Sequence, residues 1–167
     1  MSKRGYSLVE VMLTTGLLSM IMVSSVGVYL ACYKTWFASD VSMQAAQKAS
    51  MAVQRMVYGP YGTNGLRSAL ATNIVSVAVS NNWSITYNTA DGGRYRFSYL
   101  ATNKAVMFAD LTGGNSNAAA RVVSSKIVAS SITPMAGTGV TVRVTAVATH
   151  RLASATNTLT SFIHYRN

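Results

Sequence analysis

The chain has 167 residues, half of them hydrophobic and only 11% charged, with fourteen Lys and Arg against four acids and a formal charge of +10. A single cysteine, Cys32, excludes an internal disulfide, so any exported portion must be held by ordinary packing. The basic excess attracts acidic partners such as nucleic acid, anionic lipid or surface polysaccharide, but the basic residues are scattered, which argues against a dedicated nucleic-acid binder.

In chain order, the first feature is an uncharged run from Val11 to Tyr33. As a helix it rises roughly 34 Å, enough to cross a hydrocarbon layer of about 30 Å. Lys3 and Arg4 precede the run and Lys34 follows it. That short basic cap predicts an N-terminus in the cytoplasm and a chain that lies outside beyond residue 34.

No proline interrupts Tyr6 to Tyr58, and the pattern predicts one long helix with two chemically different halves. The first half is apolar on every side. In the second, Phe37, Val41, Ala45, Ala49, Ala52, Val53 and Met56 recur at steps of three and four, while Ser39, Asp40, Gln47, Lys48, Gln54 and Arg55 take other faces. This is the pattern of an amphipathic helix lying on a domain. Gly59, Pro60, Gly62 and Gly65 then stop it.

Strand and turn patterns fill the remainder. Trp83, Ile85 and Tyr87 alternate with polar residues, as do Tyr95, Phe97 and Tyr99, and Asp91-Gly92-Gly93 between them predicts a hairpin. Val140, Val142, Val144 and Ala146 alternate with Thr141, Arg143 and Thr145, a second half-buried strand. Weaker strand signals cover 74–79, 104–108, 126–132 and 159–165, and 112–120 reads as an exposed loop. The expected class is α+β, with a long N-terminal helix, membrane-spanning and then amphipathic, packed on an antiparallel sheet.

Glu10 is the only glutamate, and it stands at the edge of the apolar run. A carboxylate within a membrane helix costs about 2.5 to 3.5 kcal/mol at the centre and less near the interface, so a cationic partner is expected. The residues Lys3-Arg4-Gly5-Tyr6-Ser7-Leu8-Val9-Glu10 resemble the start of type IV pilin and pseudopilin precursors: a short basic leader, a glycine, an aromatic residue, a small hydroxyl residue, two aliphatics and a glutamate. Tyr6 stands where the family usually has phenylalanine.

The resemblance implies a leader over 1–5, cleavage between Gly5 and Tyr6 by a membrane aspartyl prepilin peptidase, and N-methylation of Tyr6. It also implies a transmembrane and assembly helix over 6–33, an amphipathic continuation over 34–58, and a strand-rich periplasmic or extracellular domain over 59–167. The implied partners are other pilin or pseudopilin subunits, the inner-membrane assembly platform and the bacterial inner membrane itself. Cleavage creates an ammonium group four residues from Glu10. In a stack of parallel helices that ammonium pairs with Glu10 of a neighbour, which sets axial register while apolar flanks supply contact area.

Departures from the family pattern narrow the expectation. No proline lies in the apolar run, Gly27 standing near its usual place; the lone cysteine forbids a C-terminal disulfide loop; and no acid follows Asp110 to build a calcium site. These features resemble a minor pilin or minor pseudopilin, including the J-type and W-type members, more than a main shaft subunit. A DNA-binding subunit for uptake is one alternative. Another is a lipoprotein anchored at Leu30-Ala31-Cys32, although Tyr29 and the length of the apolar run fit that signal poorly and Cys32 reads more simply as a small buried apolar residue. His150 and His164 have few acids near them in sequence and read as surface or strand-face residues, so no catalytic residue, metal site or cofactor is expected.

Overall fold

The computed structural model describes residues 7–62, 64–72, 74–79, 81–114, 118–150 and 153–166. It has the expected α+β class: one long N-terminal helix, α1 (Leu8–Tyr58), followed by eight antiparallel strands. The chain divides into two compact units, Met1–Ser39 and Asp40–Asn167. In the first, every residue from Ser7 to Trp36 is exposed.

In the second unit α1 buries Val41, Ala45, Ala49, Ala52, Val53 and Met56, the stripe that the sequence spacing predicts except for its first member, Phe37, which is only half-buried. Three of the six are alanines, so the helix backbone can lie close to the strands beneath it. Gly59 ends α1 with φ +84°, and a Cβ there would stand 2.8 Å from the backbone of Asn64 and Gly65. Only glycine satisfies both the conformation and the space. The chain folds back beneath the helix end into a short 3-10 turn, η1 (Leu66–Ser68).

Five strands form the first sheet, in the order β1 (Val75–Val79), β2 (Asn82–Asn88), β3 (Arg94–Leu100), β4 (Ala105–Asp110) and β5 (Arg121–Ser125). The hairpin expected from the aromatic alternation is β2–β3, with Trp83 opposite Tyr99, Ile85 opposite Phe97 and Tyr87 opposite Tyr95. All six are buried on the inner face, where the Phe97 and Phe108 ring centroids lie 5.0 Å apart. Such cross-strand aromatic pairs stabilise a sheet by about 0.2–1 kcal/mol each beyond alanine.

The second sheet is β6 (Ile127–Met135), β7 (Gly139–His150) and β8 (Ala153–His164). One sheet is expected from the sequence, and the structure has two. The chain passes from β5 to β6 through Lys126, whose φ of 62° turns the backbone sharply in one residue. Val140, Val142, Val144, Ala146 and Ala148 of β7 face inward and are buried. Most of them join the aromatic residues of the first sheet and Ala49, Ala52, Val53 and Met56 of α1 in one core, while Val41 and Ala45 pack with Ala148 in a smaller cluster.

Candidate functional site

Helix α1 takes its first backbone hydrogen bonds from the carbonyl of Ser7, which accepts from the amides of Glu10 at 3.0 Å and Val11 at 3.2 Å. Glu10 thus lies in the first turn, exposed, where its negative charge complements the unpaired amides of the helix N-terminus. Gly5 and Tyr6, the expected cleavage and methylation positions, lie outside the described residues.

Beyond Glu10 the helix presents bare apolar side chains in every direction. Val23 is 73% exposed, Met20 71% and Met12 68%. Exposure on this scale far exceeds the single scattered apolar residues ordinary on a protein surface. The polar residues of the segment are internally satisfied: Thr14 donates to the Glu10 carbonyl at 2.9 Å, Thr15 to Val11 at 2.9 Å, Ser24 to Met20 at 2.9 Å and Ser25 to Ile21 at 2.8 Å. A hydroxyl bonded back to the preceding turn needs no water. Among the described residues α1 is the one helix long and apolar enough to cross a membrane, a candidate span near the N-terminus.

The apolar segment ends in a group of aromatic side chains that was not read from the sequence. Tyr29 stacks on Tyr33 with centroids 6.1 Å apart, Tyr33 meets Phe37 edge to face at 4.5 Å, and Trp36 meets Phe37 at 5.0 Å. The signal was present as aromatics four residues apart, which share a helix face. Lys34 sits among them. Cys32 is exposed, contrary to its reading as a buried residue.

His150 and His164 are exposed at the ends of β7 and β8, as expected of strand-face residues. Among the described residues no three of His, Cys, Asp and Glu gather as metal ligands would. Comparison with protein-family models, with curated proteins and with solved structures finds no match.

Proposed function

We propose that the chain is a structural subunit of a type IV pilin-like filament, a minor pilin or minor pseudopilin held in the bacterial inner membrane by residues 6–33 until it assembles. The observation that carries this reading is an uncovered apolar helix with a single carboxylate, Glu10, in its first turn. Lipid covers such a surface before assembly and the helices of neighbouring subunits cover it afterwards. Aromatic side chains are enriched at membrane interfaces, so Tyr29, Tyr33 and Trp36 beside Lys34 fit the outer boundary of the span.

On this reading prepilin peptidase cuts after Gly5, and the methylated amine of Tyr6 on one subunit meets Glu10 of the next. Desolvation opposes the attraction of such a pair, so its use is register rather than adhesion. Nothing in the scheme requires the chain to act as an enzyme.

The test is Glu10→Ala. The variant is expected to insert and be cleaved as before, since the helix only becomes more apolar. It is expected not to co-purify with other filament subunits, because a neighbour's ammonium would be stranded in a poorly hydrated core at a cost of about 3–5 kcal/mol. Wild-type incorporation with an intact outer domain would reduce Glu10 to a helix-dipole residue and remove the main support for assembly.

A further inference from the structure

A cleft of about 540 Å³ lies beside the end of α1, lined by Tyr58, Arg67, His164, Tyr165 and Arg166 together with the backbone near Gly62 and Gly65. Its basic residues come from distant parts of the chain. Arg67 sits in η1, and His164 and Arg166 arrive at the end of β8, where the Arg166 amide donates to the Ala69 carbonyl at 3.0 Å. The Arg67 guanidinium lies 5.9 Å from the centre of the Tyr58 ring, which holds that charge at the wall of the cleft.

None of the four acids of the chain lines the cleft. Tyr165 is 8% exposed, and its buried hydroxyl has no hydrogen-bond partner among the described residues. That hydroxyl has essentially no accessible surface, so Tyr165 is part of the packed wall of the cleft, and the groups offered to a ligand are those of Arg67, His164 and Arg166. Two arginines suit an oxyanion such as a carboxylate, whose two oxygens the guanidinium fork matches.

We propose that this cleft seats an acidic segment of a second, different protein subunit; the inference rests on the filament reading for its partner and on charge for the partner's chemistry. A second copy of this chain is a poor occupant. The second unit holds three acids, Asp40, Asp91 and Asp110, each far from the others in sequence, so a copy of this chain has no acidic segment to offer. Two copies would also bring together surfaces that share a large positive excess. A carboxylate-rich neighbour removes both difficulties. The subunit would then be heteromeric by electrostatics, its own charge disfavouring a filament of identical copies.

The experiment titrates the full-length chain in nonionic detergent with the blocked peptide Ac-Asp-Glu-Asp-Glu-NH2, using the Asn/Gln analogue and inorganic phosphate as comparators. Saturable one-to-one binding of the acidic peptide is expected, weaker by about ten-fold or more in Arg67→Ala/Arg166→Ala, because charge-assisted bonds to two guanidinium groups are lost. It is expected to be unchanged in Arg143→Ala, on the outer face of β7 and away from the cleft. Equal binding by the double variant, an equal loss in Arg143→Ala, or phosphate competing as well as the peptide would each overturn the proposal. So would self-association of the wild-type chain, in sedimentation, that the double variant abolishes, since the occupant would then be a second copy. Both arginines are exposed and their loss is compatible with folding, which the near-ultraviolet dichroism of the variant verifies. Binding of the peptide does not require a filament. A chain that binds but never assembles therefore retires the filament reading alone, and one that assembles but does not bind retires the cleft.

Discussion

The Tyr99 hydroxyl donates a hydrogen bond of 3.1 Å to the carbonyl of Ile127, and this bond ties the central strand of the five-stranded sheet to the first residue of the three-stranded one. Both residues are buried, so no water replaces the donor if it is removed. Tyr99→Phe keeps the ring and its packing. It is expected to destabilise the Asp40–Asn167 unit by about 1–3 kcal/mol, the cost of an unsatisfied buried carbonyl. Urea denaturation of that unit is the measurement, and an unchanged midpoint would mean that the two sheets hold together without the bond.

Small residues set how closely α1 approaches β7. Ala45 and Ala148 are both fully buried in the same cluster, with half-buried Ala153 and Ala155 against them. Ala45→Leu inserts bulk where α1, β7 and β8 meet. A loss of about 1–3 kcal/mol is expected from overpacking. A variant as stable as the wild type would show that the helix can lift from the sheet at no cost.

Asp110 carries the clearest acid dependence outside the anchor. Its hydrogen bonds from Thr112 hold the carboxyl below the ordinary aspartate value. A carboxyl with a depressed folded pKa contributes stability that is complete above its unfolded pKa of about 3.9 and is lost as pH falls through the lower folded value. Asp110→Ala should therefore flatten the acid limb of the stability curve below about pH 4 and leave its shape near neutrality unaltered. Since Asp110 is exposed, the change is small. A variant whose acid limb matches the wild type would assign that limb to other carboxylates.

Much of this fold is legible in the sequence, because large side chains in strict alternation fix a strand's inner face. The β2–β3 hairpin follows from six aromatic and aliphatic residues and one glycine turn. β8 is longer than its signal, Ala153–His164 against the expected 159–165, because its first half contains only Ala, Ser, Thr and Asn and is held by register to β7 rather than by its own bulk. The short β5, Arg121–Ser125, buries only Val123 and gives no alternation to read. The division into two sheets turns on Lys126 in a left-handed conformation, which lysine does not announce as glycine or asparagine would.

For the site the division is similar. Glu10 and the apolar run are contiguous and announce themselves. Arg67, His164 and Arg166 are brought to one cleft by η1 and the last strand, a meeting that no local spacing encodes. The isolated bridge between Leu70 and Arg166 is the contact that joins those segments.

The most direct test of a processed, membrane-held filament subunit is the intact mass of the full-length chain, expressed in cells that contain a prepilin peptidase and extracted from their membranes. The account predicts a protein that begins at Tyr6 and carries one added methyl group, absent from the soluble fraction until detergent is added. A chain that keeps residues 1–5 in such cells, or one that begins at a lipid-modified Cys32, would contradict it.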